Sequence, residues 1–195
     1  MYYRRSLINS FRRAEERLEL NTKKLVAIAL LVGMGTVLHA VVPGFALGMK
    51  PDMMLTMMFL GIILFPDKKS VLLLGLTTGI ISGITSSFPG GLFPNIIDKF
   101  FTAFIFLALF LVFSKIQKSI VSVAILTAIG TLISGTVFLG SAYFLVGLPG
   151  QFVGMFAAAV LPAAVVNTIV MIILYPVATT VLKKTKFSEI KTISQ

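Results

Sequence analysis

The chain has 195 residues, 57% of them hydrophobic and only 12% charged, where an average soluble domain runs to roughly 45–50% apolar and 25% charged, so an ordinary soluble fold is excluded. The net charge of +10 does not point to nucleic acid, because nearly all the Lys and Arg lie in the tails and in short loops, where membrane topology signals sit. Cysteine is absent and histidine occurs once, which removes disulfides, thiolate metal sites and multi-histidine metal sites.

Residues 1–22 form a basic tail with Leu7, Phe11, Ala14 and Leu18 at helical spacing. This predicts a short amphipathic helix on the cytoplasmic membrane surface, or a tail that only sets orientation. The first apolar run, residues 24–42, has a basic head like a signal peptide. It is longer than the roughly 7–15 residues of such a segment, and no A-x-A site follows. A retained helix is expected, with Ala29 and Gly33 as a small-residue face that another helix can approach closely.

Pro43-Gly44 ends that run. Lys50 then precedes Pro51, which suits the first position of a helix, and Asp52 follows, where its charge favours the helix dipole. The second run, 52–65, is brief for a hydrocarbon core of about 30 Å, so Lys50 and Asp52 are drawn toward apolar depth. After the basic turn Pro66-Asp-Lys-Lys69, a third run covers 70–86. Its Gly75, Gly79 and Gly83 recur every four residues, a spacing for close helix packing.

The loop Ser86-Ser-Phe-Pro-Gly-Gly-Leu-Phe-Pro-Asn95 leads to a fourth run, 96–113. Asn95 and Asp98 are spaced as a capping box, and Lys99 adjoins them. The fifth run covers 120–144. The last apolar region, 151–182, is too long for one straight crossing, and Pro162 is expected to kink it or to separate an outer lead-in.

These readings give an all-α integral membrane protein, a bundle of six transmembrane helices over residues 23–184 between a basic tail, 1–22, and a second tail, 185–195. Positive charge falls on one side apart from Lys50 and Lys99, which predicts both termini in the cytoplasm. His39, Lys50, Asp52, Asn95, Asp98, Lys99 and Gln151 then gather at an outer mouth, with Asn167 deeper in the last run. Ionisable groups within a membrane point to function. A zwitterion suits them: its carboxylate pairs with Lys50 or Lys99, its ammonium with Asp52 or Asp98. The two lysines equally fit neutralising their neighbours, and His39 and Asn167 fit plain helix packing. Phe45, Met49, Met53, Phe88 and Phe93 offer apolar contact to a side chain. There is no phosphate-binding loop, and no nucleophile, base and orienting acid assemble around the single histidine, so neither an ATPase nor another enzyme is expected, and no cofactor.

Gly48-Met-Lys-Pro-Asp-Met-Met-Leu55, Phe93-Pro-Asn-Ile-Ile-Asp-Lys99, Val146-Gly-Leu-Pro-Gly150 and Leu161-Pro-Ala-Ala164 with Asn167 resemble the TrpP-type tryptophan transporters of Gram-positive bacteria, over residues 23–187. That family is similar to the substrate-binding (S) components of energy-coupling factor transporters. The resemblance implies an S-component-like six-helix bundle in the bacterial cell membrane that takes up tryptophan, either with a transmembrane coupling protein and an ATPase pair or alone. Ala29 and Gly33 match the small residues that contact the coupling protein, although the family's alanine pair is here Ala and Gly. The competing readings are a solitary carrier, with Asp52, Asp98 or His39 taking a proton, an S component for another small zwitterion or vitamin, and a structural or sensory membrane protein.

Overall fold

This computed structural model describes residues 2–41, 52–113 and 119–184, with side chains from Thr22 onward. Six helices follow one another: α1 Tyr2–Val41, α2 Met53–Leu64, α3 Lys68–Ile84, α4 Leu92–Phe113, α5 Ile120–Leu145 and α6 Phe152–Lys184. No strand occurs among the described residues. Lys50, Phe45 and Met49 lie outside the described residues.

Thr22–Val41 of α1 and all of α4, α5 and α6 are long and apolar enough to cross a membrane. Their outward faces expose Leu30, Val37, Phe101, Val121, Ile125 and Ile173. Water-soluble proteins rarely show apolar surface on this scale, and the chain is a multi-pass membrane protein. The basic tail is not a separate helix: α1 runs unbroken for 40 residues, so the tail extends the helix of the first span.

Consecutive helices pack against one another along the chain. The short α2 sits in the middle, and every residue from Met53 to Ile63 is buried. Its 12 residues span about 18 Å, well short of a core of about 30 Å. A short helix is tolerable here because α1, α3, α4 and α6 all pack on it. Lipid tails are as apolar as Leu, so close packing holds such a helix in place rather than escape from water. On α1 the buried positions Ile28, Leu31, Val32 and Gly35 follow helical spacing and face α2. A Cβ on Gly35 would lie 2.9 Å from Met54 Sδ. On the other flank Phe59 of α2 stacks on Phe106 of α4, with centroids 4.0 Å apart.

The glycine spacing of α3 does what it predicts. A Cβ on Gly79 would stand 3.0 Å from Ile96 Cα, and one on Gly83 would stand 2.8 Å from Leu92 O. α3 and α4 therefore meet backbone to backbone. The turn between them passes through Gly90 at φ 67°, a left-handed conformation that suits glycine. The Phe88 N–H donates to Ser86 Oγ there.

The expected capping box needs correction. α4 begins at Leu92 rather than Ile96, so Asn95 lies inside the helix and forms no capping box with Asp98; its Nδ2 donates to Gly91 O instead. Pro94 is tolerated in the first turn, where its missing N–H would have no helical partner. Around Pro162, where a kink or a separate outer lead-in is expected, the backbone of α6 departs from regular α geometry. The five residues Phe156–Val160 just before Pro162 form a π turn, and the Leu161 N–H donates to Phe156 O. Proline removes one N–H and crowds the preceding turn, and a wider turn relieves that within a continuous helix.

At the far end of the bundle, Asp67 caps α3 through the Ser70 N–H and pairs with Lys24 of α1. The Lys24 ammonium also lies 5.8 Å from the centre of the Phe65 ring. Lys68, Lys69, Lys183 and Lys184 belong to the same end of these alternating helices.

Candidate functional site

Because the helices alternate in direction, one end of the bundle collects the last turns of α1 and α3, the first turns of α2 and α4, the second half of α5 and the first half of α6. A cavity opens there, lined among others by His39, Asp52, Asn95, Asp98, Lys99 and Asn167. Of the described polar residues that the sequence places at the mouth or deeper in the last run, only Gln151 is missing from this lining. The cavity has about 130 Å³ for the centres of water-sized molecules, where a single water needs about 10–15 Å³. It is roomy enough for an organic ligand.

At its heart is a cation between two anions. Lys99 Nζ lies 2.5 Å from Asp52 Oδ2 and 2.6 Å from Asp98 Oδ2, and its side chain is 1% exposed. The two carboxylates are held differently. Asp98 is also 1% exposed and accepts two further bonds, from Thr102 Oγ1 and Ser134 Oγ, each at 2.8 Å. Asp52 is the helix cap of α2, and its Oδ1 accepts the Leu55 N–H at 3.0 Å. Its side chain keeps 21% exposure, and His39 Nδ1 stands 3.8 Å from it. Asp98 is thus a fully satisfied buried partner, whereas Asp52 is the more accessible one.

The polar wall continues along α5 and α6. Thr131 donates to Thr127 O within its own helix at 2.8 Å, and Asn167 Nδ2 donates to Thr131 Oγ1 at 3.4 Å. Asn167 is fully buried. Three buried polar atoms on the lining residues have no hydrogen-bond partner: His39 Nδ1, Ser82 Oγ and Asn167 Oδ1.

The apolar lining differs from the expected set. Phe88 lines the cavity and meets Phe138 edge to face at 5.4 Å. Phe93 instead points outward, 65% exposed, and Met53 is buried in the bundle without lining the cavity. Leu55, Phe138, Leu139 and Val160 supply the rest of the apolar wall. Gln151 is exposed ahead of α6 and does not line the cavity. Ser134, Thr102 and Thr131 are polar groups that the sequence reading missed. A signal exists, since Thr127, Thr131 and Ser134 recur at helical spacing within an otherwise apolar helix.

Ala29 and Gly33 are far from this cavity in character. Both are exposed, and a Cβ on Gly33 would meet nothing within 4 Å. Among the described residues, no helix covers that point. Among the described residues no group of His, Cys, Asp and Glu is placed to hold a metal ion.

The chain has sequence relatives among bacterial proteins. It is 55% identical over 170 residues to a probable tryptophan transport protein of Bacillus subtilis, covering 87% of this chain and 98% of that protein. A probable tryptophan transport protein of Clostridium acetobutylicum is 42% identical over 159 residues, 81% of this chain and 92% of that protein. One from Clostridium perfringens is 39% identical over 167 residues, 80% and 90% respectively. No solved structure matches the chain. Residues 21–183 match the family described as Tryptophan transporter TrpP, a family of transport proteins rather than enzymes, and the chain belongs to that family.

Proposed function

We propose that this protein binds tryptophan in the cavity around Lys99 and imports it across the bacterial cell membrane. The observation that carries the reading is Lys99 held between Asp52 and Asp98 in a cavity with an apolar wall. Stability does not account for such a cluster, because replacing buried ion pairs by apolar residues is often neutral or stabilising by about 1–4 kcal/mol. A charged group in a span marks a pathway or a site.

Binding proceeds by exchange of partners. The substrate carboxylate takes the Lys99 ammonium, and its own ammonium takes Asp52, the more accessible of the two acids. Asp98 keeps Lys99 in place, braced by Thr102 and Ser134. A zwitterion adds one charge of each sign, so the cluster's net charge does not change on binding. The desolvation of Lys99 and Asp98 is already met by the fold before any substrate binds. His39 and Asn95 complete the polar wall. The indole lies against Phe138, Leu139, Val160 and Leu55.

The cavity faces outward and both termini are cytoplasmic in this reading. Lys24, Lys68, Lys69, Lys183 and Lys184 gather at the opposite end, as positive charge does on the cytoplasmic side. The open face around Ala29 and Gly33 is where a transmembrane coupling protein with an ATPase pair docks, in an S-component-like arrangement. Uptake of labelled tryptophan by vesicles holding only this protein tests the coupling. No uptake under a proton gradient, with uptake restored by ATP and the coupling partners, is the expected result. Uptake that follows the proton gradient alone would favour a solitary carrier instead.

A further inference from the structure

We infer that Asn167 Oδ1 is the acceptor for the indole N–H, and so distinguishes tryptophan from apolar amino acids of the same shape. This rests on the tryptophan reading above and assigns the far end of the same site.

The orientation of the Asn167 amide follows from its neighbours. The Thr131 hydroxyl gives its hydrogen to Thr127 O at 2.8 Å, so Thr131 Oγ1 is left only to accept. The atom of Asn167 that meets it must be the donor, Nδ2. Oδ1 is thereby turned away from Thr131, and it has no partner. An amide oxygen cannot donate, and a fully buried acceptor left empty costs about 1–3 kcal/mol. Ser82 Oγ, the other unpartnered group on the cavity lining away from the carboxylates, is different. A serine in a helix can rotate its hydroxyl onto its own backbone, as Thr78 does toward Leu74 O. Asn167 Oδ1 has no such escape onto its own helix, and its residue lines the cavity.

Its position suits the indole. Asp98 is bonded to Ser134 of α5, and Asn167 is bonded to Thr131 of the same helix. Three residues along a helix is about 4.5 Å. The amino-acid head at Lys99 and Asp52 and the acceptor at Asn167 are thus one turn of α5 apart, with Leu139 and Val160 on the wall beside them. Tryptophan carries one N–H beyond its head group, on the indole. A site built to meet an N–H rejects an analogue that lacks it, because the acceptor is then left unpaired.

The test compares tryptophan with 3-benzothienylalanine, in which sulfur replaces the indole N–H, by titration of the purified full chain. Wild-type protein is expected to bind tryptophan at least about tenfold more tightly. In Asn167→Leu that preference falls to near one. Thr131→Val, which frees the amide, reduces the preference part-way and serves if Asn167→Leu does not fold. Equal wild-type affinity for the two ligands would overturn the role of Asn167 while leaving tryptophan as substrate. A preference that persists in Asn167→Leu would overturn it too. Failure of wild-type protein to bind tryptophan at all would remove the substrate reading and this inference together.

Discussion

Asp52 and Asp98 share one lysine yet are held unequally: Asp98 is closed in by Thr102 and Ser134, while Asp52 faces the cavity from the first turn of α2. In the proposed function, that inequality gives Asp98 the task of fixing Lys99 and Asp52 that of meeting the substrate ammonium.

Asp52→Asn should therefore weaken tryptophan binding by at least about tenfold, or 1.4 kcal/mol, with little loss of fold. The Asn side chain still caps α2, and Lys99 keeps Asp98. Calorimetric titration reads the affinity and circular dichroism the fold. Unchanged affinity would remove Asp52 from the site.

Lys99→Met should destabilise the protein by about 3–5 kcal/mol, because the buried Asp98 and the partly exposed Asp52 are left without their cation. Asp98→Asn added to Lys99→Met should recover part of that loss, since one of the stranded charges is removed. Thermal unfolding in detergent compares the three proteins. A Lys99→Met protein as stable as wild type would show that the cluster carries no such coupling.

Gly79→Val should separate α3 from α4. The added side chain meets Ile96 Cα and Asn95 O, which are backbone atoms that cannot step aside. A loss of about 1–3 kcal/mol or more is expected. Gly140→Ala is the contrast, because a Cβ there meets nothing within 4 Å. Equal stability of the Gly79 variant and wild type would contradict the backbone contact.

At the opposite end, partial burial pushes the Asp67 carboxyl up, but the bonds from Lys24 and the Ser70 N–H outweigh it and hold the group below its ordinary value of 3.8. A carboxylate with a depressed value in the folded state adds stability above the unfolded value and loses it as pH falls through the folded one. The clasp between α1 and α3 should thus be complete at neutral pH and weaken below about pH 3.8. Asp67→Asn should lower thermal stability at pH 7 and narrow the gap to wild type in acid. A gap that widens as pH falls would contradict the sign.

Much of the site was legible in the sequence for one reason. Few charges interrupt so apolar a chain, and charges in a membrane must find one another or water. Asp52, Asp98 and Lys99 could be expected to converge, and with His39, Asn95 and Asn167 they line one cavity. The glycine spacing of α3 was equally plain. Other features depend on how helices rotate about their axes. Ser134 and Thr102 reach Asp98, whereas Thr127 bonds back to Val123 in its own helix, and residue type does not separate those outcomes. Phe93 and Phe138 exchanged roles for the same reason. The start of α4 was set too late because Pro94 reads as a helix boundary, although a first turn accepts proline.

The central claim is that both charges of the substrate head are read at Lys99 and Asp52. Titration of the purified protein with tryptophan, tryptamine and indole-3-propionate tests it most directly, since the last two each lack one charge. Tryptophan is predicted to bind at least about tenfold more tightly than either. Equal binding of all three would contradict the account.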